Sequence, residues 1–235
     1  MKKIMWVISC IPLIATAVML RFLPESVPVH YDLAGNIDRW GSKYESLVFP
    51  VIILCISLLM TILIGYYEKK AQKTADEKQS AGAKSNARVL GIAGVLLAAM
   101  FTIMQGFQLF GSWKEAVSGA SKQTVNIGRV SVILLGVLVV VLGNFMTKTR
   151  TNHAVGFRTS WSMYNDNTWK KSNRFGAVAM MIEGILIILL AVFMKNSFAA
   201  SMAAVGMIIL AAVVTAIYAR KVYVQEIGKE KQGEK

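Results

Sequence analysis

Six long apolar blocks dominate this 235-residue chain, and they constrain its fold more than any other feature. They cover residues 4–20, 47–67, 89–110, 125–146, 175–194 and 199–219. A helix crosses the roughly 30 Å hydrocarbon core of a bilayer in about 20 residues, and each block has close to that length. One such block alone is compatible with a buried core helix. Six of them, separated by polar loops, require a polytopic membrane protein, because only helices and closed barrels satisfy their backbone polar groups in lipid. Composition agrees. Hydrophobic residues make up 55% and charged residues 17%, against roughly 45–50% and 25% in soluble domains. The expected fold is all-α, a six-helix transmembrane bundle.

The first block reads as an uncleaved anchor. Lys2 and Lys3 with Ala15-Thr16-Ala17 also fit a signal peptide, but the apolar run continues to Leu20. Cytoplasmic loops carry the Lys/Arg excess, which sets the orientation. With the N-terminus inside, Lys2, Lys3 and segments 68–88, 147–174 and 220–235 hold 19 of the 26 basic residues. Outside segments 21–46, 111–124 and 195–198 hold 6, and Arg129 lies within the fourth block. Both termini are therefore expected in the cytoplasm. The net charge of +13 is placed beside apolar spans, so anionic lipid headgroups are its simplest partner. No basic groove interleaved with aromatics suggests direct nucleic-acid binding.

The expected organisation is a two-span module with an extracellular loop at 1–68, a cytoplasmic linker at 69–88, a four-span module at 89–222 and a cytoplasmic tail at 223–235. Segment 68–88 is rich in Ala, Lys, Gln and Ser and reads as solvated, or as an extension of the second helix. The outer loop 21–46 contains Pro24, Pro28, Gly35 and Gly41, which favour turns and extended chain. It reads as an ordered cap.

Two loops carry a resemblance. Leu23-Pro24, Pro28-Val29-His30, Gly35, Asp38, Trp40, Gly41 and Lys43 resemble a bacterial membrane module of unknown function. Asn152, Gly156-Phe157-Arg158-Thr159, Trp169, Asn173-Arg174 and Gly176 are similar to the signature of the SdpI family. That resemblance implies a non-enzymatic immunity protein of the bacterial plasma membrane, giving resistance to a secreted peptide, the sporulation-delaying toxin. It also implies signalling, with a cytoplasmic winged-helix repressor held at the membrane.

Three groups of residues are then candidates for function. In the outer loop, Pro28, His30, Asp32, Gly35, Asp38, Trp40 and Lys43 are candidates for contact with the toxin. A hydrogen-bonded loop that ties two helices together is the alternative reading. One His with carboxylates at these spacings matches a zinc site poorly, so no metal is expected. In the inner loop, Arg158 and Arg174 offer guanidinium forks for carboxylates or phosphates. Asn152, Gly156, Thr159, Trp169 and Asn173 complete a surface for a cytoplasmic partner or for lipid phosphate. The third group is intramembrane. Glu183 lies about 12 Å beyond the inner end of its span and Arg129 about 6 Å from the outer end of its own, at 1.5 Å per residue. A charge at such depth is costly and should face protein or water. A Glu183–Arg129 pair would have to bridge about 10 Å of depth, so Arg129 can instead snorkel outward. Gln105 and Gln108 are alternative partners for Glu183.

Cys10 and Cys55 read as packing residues, too few for a disulfide scaffold. No His-Glu-x-x-His, Gly-x-Ser-x-Gly, P-loop or Gly-x-Gly-x-x-Gly motif is present. The chain is therefore read as no enzyme and as needing no cofactor. A small proton-coupled transporter or exporter is the alternative function, since a buried Glu suits it. No inverted repeat with matching broken spans supports it. The orientation is directly testable. Reporters fused after Ser80 and Glu230 should read as cytoplasmic and one inserted at Ala34 as external. The reverse pattern would overturn the charge argument.

Overall fold

The computed structural model describes residues 1–147 and 156–233. Among these residues, six helices are long and apolar enough to cross a membrane. They are α1 (Lys2–Met19), α2 (Val48–Lys73), α3 (Glu77–Ser118), α4 (Ile127–Met146), α5 (Asp166–Phe193) and α6 (Ser197–Gly233). All six apolar blocks thus appear as helices. Three of the starts have a local cause in a side-chain cap. Asp76, Asn126 and Asn165 cap α3, α4 and α5 with side-chain oxygens that accept free backbone N–H groups. Helix α3 ends at Gly119, whose φ of 64° is the left-handed conformation glycine adopts without strain.

Helices α3 and α6 outrun the bilayer. Their 42 and 37 residues extend about 63 and 55 Å at 1.5 Å per residue. In segment 69–88, α2 continues to Lys73 and α3 begins at Glu77, leaving only 74–76 between them. The cause is composition, because Ala, Lys and Gln are strong helix formers and Asp76 supplies the cap.

Helix α3 packs along α1 and α2 and also meets α4, while α4, α5 and α6 pack on one another. Polar side chains stitch the first group: Ser9 Oγ to Ser57 Oγ at 2.6 Å, Trp6 Nε1 to Thr61 Oγ1 at 3.0 Å, and Gln105 Nε2 to Thr16 Oγ1 at 3.0 Å. The second group is held by backbone contact. A Cβ on Gly136 would lie 2.8 Å from the Gly184 carbonyl oxygen, and one on Gly184 would lie 2.6 Å from that of Gly136. One turn-pair further along, a Cβ on Gly143 would meet the Ala177 carbonyl at 2.9 Å. Helices pack this closely in lipid only through small residues.

Between α1 and α2 the loop forms a hairpin, the one sheet among the described residues. Strand β1 (Ser26–Tyr31) pairs antiparallel with β2 (Ile37–Ser42), with Val27 opposite Gly41 and Tyr31 opposite Ile37. A short 3₁₀ turn, Lys43–Leu47, then leads into α2, and its Ser42–Glu45 capping box fixes that entry. Val27 is fully buried with Leu23 and Leu109, so the hairpin rests on α3.

The glycine seam generates a paired expectation. Gly184→Val should destabilise the purified protein by about 1–3 kcal/mol or more, from overpacking against backbone that cannot yield. Gly206→Ala should change stability by less than about 0.5 kcal/mol, because nothing lies within 4 Å of the added methyl. Thermal unfolding of both variants checks this, and equal effects would contradict it.

Candidate functional site

The hairpin divides its residues into framework and exposed face. Asp32 builds the turn. Its Oδ1 accepts from the Ala34 and Asn36 N–H groups at 2.8 Å and its Oδ2 from Asn36 Nδ2 at 2.7 Å. These bonds favour the charged carboxylate, led by the Asn36 side chain, and hold its pKa below the ordinary value. Gly35 follows at a φ of 81°, where a Cβ would also strike the Gln123 side chain. Pro28 is buried, and its carbonyl accepts from Ser112 Oγ at 3.3 Å. Tyr31 donates its hydroxyl to buried Glu115 at 2.6 Å, and Glu115 also accepts the Thr124 N–H. Burial first, and then that bond, push the Tyr31 pKa upward. The bonds Gln123 N–H to Gly35 O at 2.8 Å and Ile37 N–H to Ser121 O at 2.9 Å fasten the hairpin to the α3–α4 connection.

His30, Asp38 and Trp40 face outward, while the Lys43 side chain is largely covered. His30 Nδ1 lies 2.6 Å from Asp38 Oδ1, and both side chains are exposed. Trp40 is 43% exposed. Lys43 donates to Glu25 at 2.8 Å, and Arg39 lies 3.1 Å from Glu45. Of the hairpin candidates, His30, Asp38 and Trp40 therefore form an exposed face, while Pro28, Asp32, Gly35 and the Lys43–Glu25 pair build its support. Among the described residues no three His, Cys, Asp or Glu side chains are grouped to hold a metal ion.

The inner loop divides in the same way. Asn152 lies outside the described residues. Gly156 has a φ of 119°, and a Cβ there would fall 2.5 Å from Asn173 Oδ1 and 2.9 Å from the Trp169 ring. Asn173 Oδ1 accepts the Phe157 N–H at 2.7 Å, and its Nδ2 donates to the Trp169 carbonyl at 3.1 Å. Trp169 and Asn173 are buried. Thr159 and Ser162 close the next turn, with Ser162 Oγ donating to the Phe157 carbonyl at 2.9 Å. Asn165 and Thr168 form a capping box that starts α5. The loop is fastened to the far end of α6 through Tyr164 to Glu230 at 2.7 Å and Asn167 to Glu226 at 2.8 Å. The Glu230 bond raises the Tyr164 pKa. Arg158 and Arg174, in contrast, are exposed. The motif thus separates into a clamp of Gly156, Thr159, Trp169 and Asn173 and two outward-facing cations.

The intramembrane charges do not meet. Arg129 Nη2 donates to the Met194 carbonyl at 2.9 Å, at the end of α5. A cation there complements the negative end of the helix dipole. Gln105 turns its amide nitrogen to Thr16 and to the Ser46 carbonyl rather than to Glu183. Glu183 is 6% exposed, and its Oε1 has no hydrogen-bond partner among the described residues. It lines a cleft of about 270 Å³ with Val139 and Met146 of α4, Met180 of α5, and Ile208 and Thr215 of α6. Gly156 and Phe157 of the inner clamp also line it.

Sequence reasoning missed two parts of this arrangement. Glu115 stood in a polar loop with no mark of burial, since its partner Tyr31 lies 84 residues away. The Gly136 and Gly143 spacing of seven was a readable signal for a packed helix face.

Residues 7–54 match a family model described as a domain of unknown function (DUF1648), which spans α1, the hairpin and the start of α2. Residues 148–219 match the model of the SdpI/YfhL protein family, which spans the inner clamp, α5 and most of α6. The chain is 25% identical over 197 residues to Immunity protein SdpI of Bacillus subtilis (strain 168), covering 82% of this chain and 83% of that protein. No solved structure matches. With six candidate spans among the described residues, these similarities support a multi-pass membrane protein with a region similar to the SdpI/YfhL family.

The clamp has a measurable consequence. Asn173→Ala removes bonds to two buried backbone groups and should cost about 1–3 kcal/mol. Arg158→Ala should cost less than about 0.5 kcal/mol. Thermal unfolding of the purified variants checks both, and an Asn173→Ala protein as stable as the parent would contradict the clamp.

Proposed function

We propose that this protein sits in the bacterial plasma membrane with both termini in the cytoplasm and protects the cell from a secreted, membrane-active peptide. The observation that carries the reading is the similarity to Immunity protein SdpI over 82% of this chain, beside the separate family-model matches on the hairpin module and on the clamp with α5 and α6. The sporulation-delaying peptide is the first toxin to try, since the inner motif resembles the SdpI signature.

Physically, the exposed face of His30, Asp38 and Trp40 is the first part of the protein an arriving peptide meets. The hairpin does not swing freely beneath such a contact, because Tyr31, Glu115 and the Gly35 and Ile37 backbone bonds tie it to α3 and the α3–α4 connection. Peptide bound at the hairpin therefore acts on the bundle itself. At the opposite membrane face, Arg158 and Arg174 present exposed guanidinium forks beside the clamp. This is the surface we assign to a cytoplasmic partner, a winged-helix repressor in the signalling version, or to anionic lipid phosphates. Coupling between the faces would require two packings of the bundle with different affinities for each partner. No catalytic step enters this reading.

Survival measures it. Expressed in a sensitive Gram-positive host lacking its own immunity protein, the chain should raise the tolerated concentration of the sporulation-delaying peptide. Trp40→Ala and His30→Ala should lower that protection by about tenfold or more, as the loss of an interface hot spot does. Arg158→Ala should leave protection intact. Absence of protection against any of a panel of membrane-active peptides, at normal membrane levels, would overturn the reading. Energised, Glu183-dependent export of dye from vesicles would then favour transport.

A further inference from the structure

The cleft between α4, α5 and α6 has a chemistry that the immunity reading does not use. Among the described residues its wall is apolar except for Glu183 and Thr215, and none of those that line it is Lys or Arg. Thr215 already donates its hydroxyl hydrogen to the Ala211 carbonyl at 2.7 Å, so it offers the cleft only acceptor lone pairs. Glu183 adds a carboxyl whose Oε1 is buried without a partner among the described residues. An ionised carboxylate is acceptor-only, and a buried unpaired one is among the costliest arrangements in a membrane protein. The site thus offers acceptors, and a carboxyl that a bound cation would hold ionised, at the end of a hydrocarbon-like wall. A ligand that fits must bring donors and positive charge on an apolar chain.

Size narrows the class further. A volume of about 270 Å³ lies at or below the low end of the roughly 300–1,000 Å³ that ordinary small-molecule pockets span. It takes the end of a chain rather than a whole folded ligand. Gly156 and Phe157 reach the cleft from the clamp held by Asn173 and Trp169, so its inner end is formed by fixed backbone.

We propose that the α4–α5–α6 cleft binds the ammonium end of a membrane-partitioned alkylamine, with the alkyl chain against Val139, Met180 and Ile208 and the amine donating to Glu183 and Thr215. The site is separate from the hairpin face, so it stands or falls independently of toxin immunity.

The test uses the full chain in phosphatidylcholine nanodiscs and a photoreactive dodecylamine carrying a diazirine. Adducts are mapped by mass spectrometry. Labelling should be saturable, concentrated on segments around Met180 and Ile208, and competed by dodecylamine but not by dodecanol or dodecyl sulfate. Glu183→Gln keeps shape and removes charge, and it should weaken competition by dodecylamine at least about tenfold, the loss expected for a charge-assisted hydrogen bond. Ala212→Phe, which fills the cleft and keeps Glu183, should abolish the localised labelling, so the proposal remains testable if Glu183→Gln fails to fold. Adducts spread evenly over lipid-facing helix surfaces would overturn the site. Labelling unchanged in both variants would do the same, and equal competition by dodecanol would overturn the assignment of an amine.

Discussion

At Gly136 and Gly184 the backbones of α4 and α5 touch with no side chain between them, and a Cβ on either would fall within 3 Å of the other's carbonyl oxygen. Apolar side chains gain little by leaving lipid for one another, so close backbone packing is what holds such helices together. This contact determines the second half of the molecule. It fixes the angle at which α5 leaves α4 and the face that α5 turns to α6. That face includes Glu183, one residue before Gly184. The cleft is therefore a product of the seam, bounded on two sides by helices that cannot move apart without losing it.

The two membrane faces are built on a shared plan. Each has a buried polar side chain that grips backbone or a partner from a distant segment. At the hairpin end, Glu115 holds the Tyr31 hydroxyl and the Thr124 N–H. At the opposite end, Asn173 holds the Phe157 N–H and the Trp169 carbonyl. Each grip is a single buried side chain, so its loss removes two hydrogen bonds at once. The exposed groups, His30, Asp38 and Trp40 on one face and Arg158 and Arg174 on the other, are carried on these rigid supports. Residues free to bind are thus held by residues that are not free to move.

Much of this was legible in the sequence, for reasons that differ by element. The spans were readable because bilayer thickness imposes a length. The hairpin was less so. Ser-Val-Pro-Val-His-Tyr alternates only partly, and its fastening to the α3–α4 connection depends on residues about 85 positions away. The helical character of 69–88 was present in its Ala, Lys and Gln content, but charge and polarity drew the reading toward a solvated linker. The inner motif marked a loop that folds as a clamp, yet its residue types did not reveal that Asn173 and Trp169 are buried supports while the arginines are exposed. Glu183 stood out as a charge in an apolar block. Which helices surround it did not, because apolar sequence carries little information about which face meets which neighbour.

The account rests on an outer hairpin that meets a peptide before the bundle does. Site-specific photocrosslinking in membranes tests this most directly, with Trp40→benzoylphenylalanine compared against Val213→benzoylphenylalanine on the exposed side of α6. The account predicts a saturable adduct with the sporulation-delaying peptide at position 40 and only weak, non-saturable labelling at 213. Equal labelling at the two positions, or none at 40 in cells that the protein protects, would contradict it.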